Sequence, residues 1–181
     1  MAKIDKTNQT RLKINSIAIL HIFLGLVLIS QLIAFDAAKL MTPEAVMKRW
    51  IVVAGFIVVA ATVWYVSRLN NHNFYQHKIV WLLCLADLIL ASFMVYTTRG
   101  MASKAVLLFV LPILVAATTA KKGVILFSGI ISAIVYSSVV VAYFVINFNE
   151  GYKIELYGEI GFYAAFLLIF AMATYKLTKK Y

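Results

Sequence analysis

The sequence predicts an all-α integral membrane protein, a bundle of six transmembrane helices with both termini in the cytoplasm. Three observations carry that expectation. Of the 181 residues, 64% are hydrophobic and only 13% charged, against about a quarter charged in soluble domains. Nearly all of the length is taken up by apolar runs, each near the roughly 20 residues a helix needs to cross a bilayer. Lysine and arginine are also unevenly distributed between the connections.

The runs fall at about 16–35, 50–67, 79–96, 104–120, 123–146 and 157–177 of a single membrane domain spanning 1–181. Helices are expected because a membrane barrel would alternate polar and apolar residues, whereas "IVVAGFIVVAATVWYV" does not. Lys3, Lys6, Arg11 and Lys13 precede the first run, but its length and the lack of an A-x-A site set it apart from a cleaved signal peptide. With a cytoplasmic N-terminus, 11 of the 17 basic residues fall inside. The six outside, Lys39, Lys48, Arg49, Arg99, Lys104 and Lys153, are mixed with Asp36, Glu44, Glu150, Glu155 and Glu159. The positive-inside rule therefore places both termini in the cytoplasm, and the expected location is the cell inner (cytoplasmic) membrane, multi-pass. The net charge of +10 follows from topology and from attraction to anionic lipid, with no nucleic acid required.

Connections refine the layout. "TTRGMAS" reads as a tight hairpin between runs three and four, with Gly100 as a helix C-cap and Ser103 as an N-cap. "AKKG" joins runs four and five, and its Lys121 and Lys122 read as lipid-headgroup anchors. Pro112, near the middle of run four, is expected to remove the backbone bond to Leu108 and kink that helix.

Asp87 is the main candidate for a site. Eight residues after Ile79 and nine before Tyr96, it falls near the bilayer midplane. An aspartate there costs about 2.5 to 3.5 kcal/mol on insertion scales, so it must face other helices. Ser128, Ser132 and Tyr136, at four-residue spacing on run five, offer hydroxyl partners. Gly129 and Ala133 beside them form a small-xxx-small pair, which equally suits a packing seam. His21, one turn from Gly25, reads as a satisfied polar group. His72 and His77 lack a third ligand, and Cys84 stands alone, so neither a metal centre nor any other cofactor is expected. There is no phosphate-binding glycine loop, nucleophile elbow or H-E-x-x-H, and no second acid in the hydrocarbon core. The chain is expected not to be an enzyme by itself.

The segment from Asp87 to Val141 resembles the N-terminal multi-helix membrane (input) domain of bacterial sensor histidine kinases, similar to the pilus-regulating group. The matching positions are Asp87, then Val95, Tyr96, Thr98, Gly100 and Ser103 of a "VYxTGGxxS" hairpin, then Lys121, Lys122 and Gly123, then Tyr136. Arg99 replaces the hairpin's first glycine. The resemblance implies a sensor module of two-component signal transduction, with Asp87, Tyr96, Arg99, Ser132 and Tyr136 as ligand- or signal-sensing residues. It also implies a homodimer and a cytoplasmic kinase domain or other signalling partner reached through helix six. The family continues into a kinase core where this sequence stops at "YKLTKKY", so the expectation is the membrane half of a longer kinase or a free-standing relative. An alternative is a small-molecule-binding membrane subunit of a transporter, similar in outline to the S-component of vitamin importers. The early proline-led helix and the first-helix small-residue motif of that group are not evident here.

Overall fold

Apolar side chains cover both the inside and the outside of every long helix. Ile19, Phe23, Ile51, Val58, Ile134, Phe162 and Ile169 are exposed, while His21, Arg49, Ser67, Asp87, Ser128 and Ser132 are buried. In water this arrangement would be inverted; helices apolar all round are membrane spans or deep cores. The structure is a computed structural model that describes residues 2–69, 73–98, 100, 103–147 and 154–179, with side chains described for 12–69, 78–98, 100, 103–147 and 157–178.

The order is α1 (Ala2–Ala37), α2 (Pro43–Leu69), α3 (Asn73–Thr97), a 3-10 helix (Lys104–Val110) continuing into α4 (Leu111–Ala117), α5 (Lys122–Asn147) and α6 (Ile154–Lys179). The described residues contain no strand. Five helices, α1, α2, α3, α5 and α6, are long and apolar enough to cross a membrane, and the fourth run is shorter. The fourth of the six expected spans is thus not one continuous helix of spanning length. Seven 3-10 residues at about 2.0 Å rise and seven α residues at about 1.5 Å give about 25 Å, against about 21 Å for one continuous α-helix and about 30 Å of hydrocarbon. The tighter winding partly offsets the short length.

By contacts, the chain divides into two units, 1–86 and 87–181. In the first, α1 and α2 pack as an antiparallel pair. The buried residues of α2, Val46, Arg49, Val53, Phe56, Ala60, Val63 and Ser67, alternate three and four apart. Those of α1, Ile14, Ala18, His21, Gly25, Leu28 and Leu32, alternate four and three apart. This is the seam of a coiled coil. Gly25 admits Ile57 so closely that a Cβ there would stand 2.3 Å from its Cγ1. His21 stacks at 5.8 Å on Phe56, and its Nδ1 meets the Ile17 carbonyl at 2.7 Å. It is thus a satisfied polar group. Helix α1 ends in a Schellman motif: Lys39 N–H donates to Asp36 O and Leu40 N–H to Phe35 O, both at 3.0 Å. The residue in the left-handed position is Lys39, with φ 51°.

The second unit is built on α5 and α6. Three contacts fix their antiparallel register: a Cβ on Gly129 would lie 2.5 Å from that of Ala171, the Tyr136 and Tyr163 rings stand 5.8 Å apart, and Lys122 Nζ lies 5.5 Å from the Tyr175 ring. The Gly129 and Ala133 pair is therefore a packing seam. Both expected caps are present at the hairpin after α3. Gly100 takes φ +60°, and Ser103 Oγ accepts from Ala105 N–H at 3.1 Å. The Ser103 and Thr98 hydroxyls also bond to each other, and Thr98 Oγ1 donates to Met94 O at 2.5 Å. A continuous chain of bonds thus ties the end of α3 to the start of the 3-10 helix.

Pro112 does not kink a continuous helix. It occupies the first turn of α4, where a missing N–H costs no intrahelical bond. The Leu108 carbonyl, expected to lose its donor, accepts instead from Leu111 N–H in the tighter 3-10 pattern. The proline marks the change of winding from 3-10 to α.

Candidate functional site: a polar layer in the second unit

Asp87, Ser132 and Tyr136 are each 0% exposed. On α3, Ala91 and Val95 follow Asp87 at one and two turns, so all three share a face. Ala91 and Val95 belong to the same core cluster as Phe109, Tyr136, Val140 and Leu167. Asp87 continues that inward-facing stripe.

One rung of contact relates α3 to α5. Tyr96 of α3 meets Tyr143 of α5 edge to face at 5.8 Å, and a Cβ on Gly100 would stand 2.6 Å from Tyr143 Cδ1. Measured from this rung, Asp87 lies about 13.5 Å along α3, and Tyr136 and Ser132 lie about 10.5 Å and about 16.5 Å along α5.

Neither Ser132 Oγ nor Tyr136 Oη has a hydrogen-bond partner among the described residues. The neighbouring hydroxyls of α5 behave differently: Ser137 Oγ donates to Ala133 O at 2.8 Å and Ser138 Oγ to Ile134 O at 2.9 Å. That bond to the preceding turn is the usual resting place of a helical hydroxyl. A buried hydroxyl without a partner costs about 1 to 3 kcal/mol. The Tyr136 ring is held edge-on by Phe109 of the 3-10 helix at 5.7 Å and by Tyr163 of α6. The layer therefore touches three other segments of the unit: α3 through the shared core, the 3-10 helix and α6. Tyr163 was not singled out by the sequence, where it is one of 10 tyrosines.

Other candidates lie elsewhere. Tyr96 is at the rung with Tyr143, about 13.5 Å along α3 from Asp87, and is 36% exposed. Arg99 and His72 lie outside the described residues, and the side chain of His77 is not among those described. Lys121 and Lys122 are exposed at the N-terminus of α5. Cations there oppose the helix dipole at about 0.3 to 1 kcal/mol each, so their placement is not explained by helix stability. Among the described residues, no three of His, Cys, Asp or Glu stand close enough to hold a metal ion. Arg49, expected in an outside connection, is 5% exposed on the buried stripe of α2.

No protein-family model, curated protein or solved structure matches this chain.

Proposed function

We propose that the chain is the membrane input module of a signalling protein, in which the Asp87, Ser132 and Tyr136 layer senses a ligand, a lipid state or a partner helix, and α6 carries the response to a cytoplasmic partner. In this reading the protein is multi-pass in the cytoplasmic membrane. Both termini face the cytoplasm, because basic residues concentrate at the N-terminal tail, at Lys121 and Lys122, and at the end of α6. Lys121 and Lys122 engage lipid headgroups.

The observation that carries the proposal is the ring contact between Tyr136 and Tyr163. A buried acid inside a membrane bundle is a functional candidate by default. Here the hydroxyl-bearing Tyr136 ring, in the core that α3 shares through Ala91 and Val95, rests directly on α6. In this reading a change at Asp87 reaches Tyr136 through that shared core, and Tyr163 registers the shift. The junction at Leu111 and Pro112, where winding changes from 3-10 to α, is the bistable element that lets the layer rearrange, since 3-10 stretches within helices often act as hinges.

Disulfide crosslinking between copies tests the proposal. In a Cys84→Ala background, single cysteines placed in turn along the exposed positions Met172, Lys176 and Leu177 of α6 report which face meets a second copy. Asp87→Asn is expected to change the pattern. An unchanged pattern, with the protein still folded, would overturn coupling between the layer and α6.

A further inference from the structure

We propose that the layer between Ser132 and Tyr136 is a binding site for water, a hydrated pocket in an otherwise apolar interior. The inference rests on the membrane reading above, because in a bundle bathed by water a wet hydroxyl would carry no information. Two fully buried hydroxyls on one face of α5, one turn apart, both lack a partner among the described residues. Ser132 also forgoes the bond to the preceding turn that Ser137 and Ser138 make. Its Oγ is therefore left open to a partner outside its own helix.

The occupant must match the donor set. Each hydroxyl both donates and accepts. Water is the smallest molecule that can donate and accept at once, and buried waters typically make about three hydrogen bonds to such groups. An anion would use only the donors, and an apolar molecule would leave both hydroxyls as they are. On the α6 side, exposed Glu159 is one turn from half-buried Tyr163, whose ring touches Tyr136.

Water-edited solid-state NMR on the labelled protein in lipid bilayers tests this. Magnetisation transferred from water is expected to build up at Ser132 Cβ several-fold faster than at Ser138 Cβ, whose hydroxyl is closed onto Ile134 O. Tyr136→Phe keeps the ring contacts with Phe109 and Tyr163 and removes one of the water's partners, so it is expected to slow the build-up at Ser132. Build-up at Ser132 no faster than at Ser138, or one indifferent to Tyr136→Phe, overturns the proposal. The crosslinking result is independent. A dry layer with a responsive α6 refutes the water and leaves the signalling, whereas a wet layer with an unresponsive α6 refutes the signalling and leaves the water.

Discussion

Gly129 of α5 and Ala171 of α6 meet with no room between them: a Cβ on the glycine would stand 2.5 Å from the alanine methyl and 3.6 Å from the Leu167 carbonyl. The obstacle is a methyl fixed to the backbone, which cannot swing aside. Gly129→Ala is therefore expected to push the helices apart and cost about 1 to 3 kcal/mol. Ala171→Gly in the same chain removes the obstructing methyl and is expected to restore most of the loss. Unfolding in detergent, followed by helical signal, measures both; a Gly129→Ala protein as stable as the parent would mean that the seam is looser than this geometry.

Two turns lock non-glycine residues into the left-handed region, Lys39 at φ 51° and Ala120 at φ 52°. The penalty for a side chain there is about 1 to 2 kcal/mol, and the entropy that glycine adds to the unfolded chain returns about 0.4 to 1 of it. Lys39→Gly and Ala120→Gly are each expected to stabilise by about 0.5 to 1 kcal/mol. Both residues are exposed, so no packing is lost. A lower unfolding midpoint for either variant would contradict the assignment of strain.

Ser103 caps the 3-10 helix by accepting from Ala105 N–H and ties it to the end of α3 through Thr98. Ser103→Ala removes the cap and leaves the Thr98 hydroxyl without that donor, an expected cost of about 1 to 2 kcal/mol. Ser103→Thr, which keeps the oxygen, is expected to retain most of the stability. Comparing the two variants in one unfolding series separates the cap from the volume of the side chain.

Much of this architecture could be read directly because lipid imposes simple rules. Six helical runs stand out by hydropathy, and Gly100 and Ser103 announce their caps by residue type. Asp87, Ser132 and Tyr136 stand out because polar groups are rare among oil. The coiled-coil seams of α1 and α2 were hidden because exposed Ile19, Phe23 and Val58 are as apolar as buried Leu28 and Val53, so no amphipathic contrast marks the inner face. The left-handed positions at Lys39 and Ala120 carry no glycine or asparagine to betray them. Tyr163 matters only through its place opposite Tyr136, and that register exists only once Gly129 has brought α6 close. The 3-10 winding of Lys104–Val110 was invisible because leucine and valine are compatible with either helix.

That winding has a testable cause. Proline at position 112 cannot donate to the Leu108 carbonyl, and Leu111 N–H fills the vacancy with a three-residue step. Pro112→Ala supplies the missing donor, so Leu108 can revert to the four-residue pattern and the preceding seven residues can follow it into α-helix. Each residue that converts shortens the segment by about 0.5 Å, or about 3.5 Å for all seven. Spin labels at exposed Lys104 and Ala120, in a Cys84→Ala background, are expected to approach by nearly that amount. An unchanged distance would assign the winding to the buried grip of Val106 and Phe109 instead of to the proline. If the segment does shorten, Phe109 moves against Tyr136, and the α6 crosslinking pattern is expected to change without any substitution in the polar layer.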